Sequence, residues 1–238
     1  MSRQLTSGVL GRKMKIPIPM DGMFAWFDSE KITSAINDPI LVFPDSSGNG
    51  YDATQSISLN APVLKIDSNG NKYTEWEGGN KRLTTPTFST KEQPNTIFAV
   101  VSRGLAGTSA YGVFDGVTDD FRHFFHFNDT VSSHRPALFA GTSISWAGSK
   151  DDSVFAYELL INTSNSYIKK NNSVLVSGNI GTRNLNGITI GSRFTPLSGD
   201  WQSYIGRIYE LIFYNKILSV EDTKKINAYL KSKYNLIF

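Results

Sequence analysis

Apolar and polar positions alternate in short runs along most of this chain, and the runs are separated by glycine, asparagine, aspartate and proline. That spacing predicts strands: Met23 to Asp28, Ile40 to Phe43, Ala61 to Ile66, Lys72 to Trp76, Asn95 to Ser102, Tyr111 to Phe114, Phe121 to Asn128, Pro136 to Ala140, Ser143 to Trp146, Val154 to Asn162, Ser166 to Lys170, Val174 to Ser177 and Gly187 to Gly191. Asn49-Gly50 and Asn69-Gly70 mark turns, because both residue types tolerate positive φ. The strongest local signal is Tyr204 to Tyr214. Strict alternation puts Ile205, Tyr209, Leu211 and Phe213 on one face and Ile208, Ile212 and Tyr214 on the other, so this strand should be covered on both sides. After it, the period changes to that of a helix. Ser219 is placed to cap it, Glu221 and Asp222 suit its positive end, and Ile226, Tyr229, Leu230 and Lys233 form a stripe.

About a dozen short strands with turn signals every ~8–12 residues and one terminal helix form the pattern of a two-sheet antiparallel sandwich or barrel. Strands and helices do not alternate, so a parallel α/β sheet is not expected. Residues 1–20 differ from the rest. They carry Arg3, Arg12, Lys13 and Lys15 with no acid before Asp21, and Pro17 and Pro19 keep the segment extended. The expected organisation is a basic arm, 1–20, and one domain, 21–238.

Composition narrows the chemistry. At 238 residues and 39% hydrophobic, the chain can bury a core. The net charge of +3 is too small to suggest a nucleic-acid partner. There are no cysteines, which removes disulfides and thiolate metal sites. No apolar run has the length of a signal peptide or a membrane span.

Five pieces then stand in order: Phe24-Ala25-Trp26-Phe27-Asp28; Asp45-x-Ser47-Gly48-Asn49-Gly50-Tyr51-Asp52-Ala53-Thr54-Gln55; Thr96-Ile97-Phe98-Ala99-Val100-Val101; Gly187-Ile188-Thr189-Ile190-Gly191; and Gly206 to Ser219, followed by a helix ending Tyr229-Leu230-x-x-Lys233-Tyr234. This resembles the laminin-G-like branch of the concanavalin A-like lectin/glucanase superfamily, over residues 21 to 236. The resemblance implies an all-β, two-sheet antiparallel jelly-roll sandwich with one short C-terminal helix. It also implies binding of glycans or surface polymers, as in bacterial surface proteins, glycoside hydrolases and phage fibres.

Candidate chemistry follows in three groups. For sugar binding, exposed aromatic rings beside amide, carboxylate and guanidinium groups are wanted, and Trp201, Asp200, Trp146, Tyr111 and Arg122 lie in or beside loops. Trp26 and Trp76 sit inside strands and read as core. For a metal, Asp45, Asn49 and Asp52 cluster oxygen donors around glycines in a way that suits Ca²⁺, or else form a self-bonded turn; Asp115 to Asp120 makes a weaker claim. For catalysis, Glu75 and Glu77 share a strand face, but no third acid follows them in the superfamily's pattern. His123 and His126, three apart, point to opposite faces of a strand and do not suit one metal.

The expected function is therefore a non-enzymatic structural protein of a phage particle: a fibre, decoration or receptor-binding subunit, with host-surface glycans as ligand. The arm would join other virion subunits, and the assembly would be a homo-oligomer, with a trimer favoured. The alternative is a carbohydrate-binding module or glycan-acting enzyme of a bacterial surface or secreted protein. No cofactor is required on either reading.

Overall fold

The computed structural model describes residues 17–104, 110–194 and 202–238. Two eight-stranded antiparallel sheets face each other, and the helix Val220–Tyr234 lies on the outer face of the first. The expected jelly-roll sandwich is therefore present, as two stacked sheets rather than a closed barrel.

The first sheet runs in the order Ser173–Gly178, Ser166–Lys170, Phe155–Ile161, Asn95–Arg103, Ile205–Tyr214, Lys72–Glu77, Val63–Ile66. Asn95–Arg103 is buried at every position, as its apolar run Ile97 to Val101, with side chains on both faces, leads one to expect. It pairs with Ile205–Tyr214 along nearly the whole strand. The other edge of Ile205–Tyr214 is shared. Lys72–Glu77 pairs with residues 205–208, and Met23–Asp28 pairs with residues 210–214.

Tyr209 sits at the seam between those two partners, where the register slips. This bulge corrects the facing deduced from strict alternation. Ile208, Leu211 and Phe213 point into the sandwich, while Tyr209, Ile212 and Tyr214 point to the helix. An extra residue in one strand puts two consecutive side chains on the same side. Here those two are Tyr209 and Glu210, and both reach the helix residue Tyr234. The Ile208 carbonyl at the bulge accepts from the hydroxyls of Ser29 and Thr74, each at 3.1 Å.

The helix closes the chain as the sequence indicates. Ser219 Oγ accepts from the Asp222 backbone N–H at 3.0 Å, and Asn235 ends the helix with φ of 56°. Ile226 and Leu230 pack onto Phe98, Val100, Ile212 and Tyr214. Beside this apolar contact lies a buried polar one. Glu210, 1% exposed, accepts from four donors: Trp26 Nε1 at 2.6 Å, Tyr229 at 2.8 Å, Tyr234 at 2.7 Å and Lys233 Nζ at 2.9 Å. Lys233 also reaches Asp28 at 2.7 Å. Burial pushes the Glu210 carboxyl above the usual carboxylate range, with the Lys233 ammonium pulling the other way.

The second sheet runs Ser143–Ser145, Pro136–Phe139, Phe124–Asn128, Ala110–Asp115, Thr189–Ile190, Leu83–Thr84, Ala53–Thr54, Val42–Phe43. Its aromatic residues Phe114, Phe125 and Phe127 meet Phe213 and Tyr157 of the first sheet in tilted and edge-on contacts. Just ahead of Phe124, His123 is fully buried and donates from Nε2 to the Arg183 carbonyl at 2.9 Å. Burial lowers its pKa to about 4.

Two stability predictions follow from this packing. Lys233→Met leaves Asp28 and Glu210 without their shared cation, and should destabilise the fold by about 3 kcal/mol in denaturant titrations. His123 stays neutral in the folded state down to about pH 4, whereas in the unfolded chain it takes up a proton below about pH 6.5. The unfolded state therefore binds the extra proton, and stability should fall as pH drops through that window, by up to about 3 kcal/mol. His123→Phe should remove its share of this slope in the pH profile of the melting temperature and leave the share of His126, whose pKa burial lowers to about 3.

Candidate functional site

A groove of about 540 Å³ runs beside the helix, along the first strand. Trp26 and Tyr229 form its aromatic wall, with ring centroids 6.4 Å apart and planes at 83°. Trp26 is half-buried rather than a core residue as its place in a strand suggests. Its indole N–H is tied to Glu210, which fixes the ring plane. Asp28, Glu30, Lys31, Ser46 and Lys233 supply carboxylate, ammonium and hydroxyl groups around the ring, and Pro17, Ile18 and Met20 form the remaining apolar edge.

Each wall has a local cause. Asp28 caps the short 3₁₀ turn Ser29–Lys31 by accepting from the Glu30 N–H at 3.0 Å, which carries Glu30 and Lys31 to the rim. Glu30 is in turn held by the Lys72 N–H at 2.8 Å. Ile18 packs on the helix-side cluster, and the Pro19 carbonyl accepts from Tyr214 at 2.8 Å, so the chain entering the domain is anchored at the groove. Tyr229 keeps its proton. Burial and the nearby Glu210 carboxylate both push its pKa well above that of a free phenol.

The Asp45 loop forms part of this wall. Asp45 accepts from the N–H groups of Trp26, Ser47 and Tyr51 and from the Ser47 hydroxyl, while Asp52 accepts from the Asp45 N–H at 2.7 Å. Asn49 donates to the carbonyls of Met23 and Phe24. Both Asp45 oxygens are thus occupied by donors, and Asn49 turns its NH₂ inward. This donor set does not fit Ca²⁺, which needs free oxygens converging on one point. The loop is instead a self-bonded turn that pins the first strand beside Trp26, and among the described residues no three His, Asp or Glu side chains gather into a metal-binding group.

The other residues singled out in the sequence are dispersed. Trp201 and Asp200 lie outside the described residues. Arg122 is buried and grips Asp115 through Nη2 at 2.8 Å and Nε at 3.1 Å. Burial raises the Asp115 carboxyl despite that partner. Tyr111 is buried beneath the Arg103 guanidinium, 3.8 Å from its ring centre. Arg103 reaches Asp129 at 2.9 Å, and Asp129 accepts from His134 Nδ1 at 3.0 Å. Trp146 is half-buried in a notch of about 20 Å³ with His134, Lys170 and Phe155, a space the size of one water molecule. Glu75 and Glu77 face solvent near Lys65 and Lys81, at 3.7 and 3.9 Å. Sequence reasoning missed Trp26, Tyr229 and Lys233 as a set. The available signal was a tryptophan two residues before an aspartate on a strand, facing a helix that carries Tyr and Lys at i and i+4.

No family model matches the chain, and no curated protein matches it either. Solved structures do. A Trypanosoma rangeli sialidase in complex with 2,3-difluoro-KDN superposes with a TM-score of 0.61 at 15% identity, over 91% of this chain and 33% of the sialidase. A botulinum neurotoxin type C structure, from work on cell entry dependent on two ganglioside molecules, gives 0.61 at 13% identity, over 89% of this chain and 52% of that one. The receptor binding domain of botulinum neurotoxin D gives 0.58 at 10% identity, over 88% and 53%. The chain therefore spans about a third to a half of the proteins it matches. At these identities the likeness is one of fold, a lectin-like β-sandwich. The expectation of a non-enzymatic chain is corrected by the same comparisons, because the first structures matched are sialidases, enzymes that act on glycans.

Proposed function

We propose that this chain is a glycan-recognition domain of the lectin-like β-sandwich type, and that the Trp26 groove is where the sugar sits. One observation carries the reading. A half-buried indole is locked by its N–H beside a second aromatic ring, with carboxylate, ammonium and hydroxyl groups around both. A pyranose has weakly polar C–H faces and a belt of hydroxyls. The rings suit the faces, and the mixed rim suits the belt. The volume lies in the usual range for small-ligand sites, about 300–1,000 Å³. The comparisons support the reading at the level of fold, since one neighbour acts on glycans and another is described with gangliosides.

The finer form of this reading places the domain on a virus particle, with the laminin-G-like motif order and the basic residues 1–20 as its support. In that form the segment joins sister subunits into a homo-oligomer, and the groove faces outward to surface glycans. Residues 17–20 already contact the domain, so the informative truncation removes 1–16. The shortened protein should keep its melting temperature and lose its oligomer in sedimentation. An unchanged oligomer would rule out attachment through this segment.

On a glycan array, the wild type should bind a restricted set of sugars. Trp26→Ala should weaken that binding on the order of thirtyfold, as loss of a central tryptophan anchor does. Trp26→Phe keeps a ring but loses the N–H, and should retain part of the affinity. A reducing-sugar assay on the bound glycans separates recognition from cleavage. Array binding that ignores Trp26, Glu30 and Lys31 would place the sugar elsewhere.

A further inference from the structure

Of the polar groups around Trp26, most donors are already engaged within the protein. Lys233 has three N–H groups, and they go to Asp28 Oδ1 at 2.7 Å, Glu210 Oε2 at 2.9 Å and the Tyr229 oxygen at 2.9 Å. Tyr229 donates its own proton to Glu210 Oε1, and the Trp26 indole donates to the same oxygen. Close by, Lys72 turns its ammonium to the Ile32 carbonyl at 3.0 Å.

The open groups are mostly acceptors. Asp28 takes both the Glu30 N–H and Lys233 on Oδ1. Its Oδ2 has no hydrogen-bond partner among the described residues and is not sealed from solvent. Glu30 is exposed; its Oε1 takes the Lys72 N–H, which leaves Oε2 open. The Ser46 hydroxyl is likewise unbonded among the described residues and reachable. Against these stands one open ammonium among the described lining residues, that of Lys31, which is exposed on the rim.

A sugar hydroxyl has a proton to give, so it suits an open carboxylate oxygen. A sugar carboxylate or sulfate offers acceptors only. In this groove it could pair with Lys31 alone, and it would then lie beside the carboxylates of Glu30 and Asp28. Like charges brought together at a binding surface are strongly unfavourable. The second ammonium, Lys233, already bridges Asp28 and Glu210, so no positive excess draws an anion in.

We infer that the groove selects uncharged pyranosides and rejects acidic ones, with sugar hydroxyls donating to Asp28 Oδ2 and Glu30 Oε2. This rests on the reading of the Trp26 groove as the sugar site and assigns its ligand class.

Calorimetric titration of the full chain with matched glycosides tests it. Methyl β-D-glucopyranoside and methyl β-D-galactopyranoside are each paired with the corresponding uronide, in which a carboxylate replaces the CH₂OH group. The methyl α-glycoside of N-acetylneuraminic acid is the remaining probe. At least one neutral glycoside should bind in a way that Trp26→Ala weakens, and its uronide should bind about tenfold or more weakly. Glu30 is exposed, so reversing its charge leaves the core intact. Glu30→Lys should narrow that gap below about threefold or invert it, which separates charge from the lost hydroxyl. If the acidic probes bind the wild type as tightly as the neutral ones, and through Trp26, the groove reading stands and this inference is overturned. A gap unchanged in Glu30→Lys overturns it as well. If no probe binds in a way that Trp26→Ala weakens, the groove reading itself fails and takes this inference with it.

Discussion

The structure turns on one irregularity, the bulge at Tyr209. Without it, alternation continued back from Leu211 and Phe213 would turn Tyr209 into the aromatic interior of the sandwich, among Phe27, Phe114 and Phe213, and Ile208 out toward the helix. The bulge instead brings Tyr209 to the helix side next to Glu210, on which Trp26, Tyr229, Lys233 and Tyr234 converge. An isolated buried carboxylate is strongly unfavourable, and four donors with a shared cation change that balance. The contact also orients. Apolar packing of Ile226 and Leu230 sets the helix against the sheet, but hydrophobic contact has no direction. The three hydrogen bonds from Tyr229, Lys233 and Tyr234 fix how the helix is rotated and thereby aim Tyr229 and Lys233 into the groove.

Which features were legible in the sequence follows from how local their causes are. The helix start was readable because Ser219, Glu221 and Asp222 act within one turn. The strands and the two-layer core were readable because burial follows the alternation of side chains. The facing of residues 208 and 209 was not, since a bulge arises from a seam between two partner strands that are more than forty residues apart in the chain. Trp26 was misread for a related reason. A strand tryptophan packs into the core unless something on the open face engages its N–H, and here that group is a carboxylate 184 positions away.

The polar candidates failed in an instructive way. Arg122, Tyr111 and Asp45 were singled out because polar or aromatic residues near glycine-rich turns often meet ligands. Each is instead used by its own fold: Arg122 by Asp115, Tyr111 by the Arg103 guanidinium, and Asp45 by three backbone N–H groups. A sequence shows that a group can form hydrogen bonds but not which neighbour claims it. Those able to meet a ligand are the ones left with spare capacity, and that is visible only when the partners are counted in three dimensions.

Two concavities lie on the outer face of the first sheet, one on each flank of the helix. The reason is geometric. A helix is narrower than the sheet it covers, so strands on either side of it keep an open outer face. The residues there, Trp26 and Glu158, come from opposite sides of the sheet, on Met23–Asp28 and Phe155–Ile161. The helix supplies the second wall in each case, through Tyr229 and Lys233 on one flank and Thr223 and Lys224 on the other. A closing strand and helix that look like scaffold thus become the shared wall of two concavities. Any change that rotates the helix about Glu210 would alter both at once.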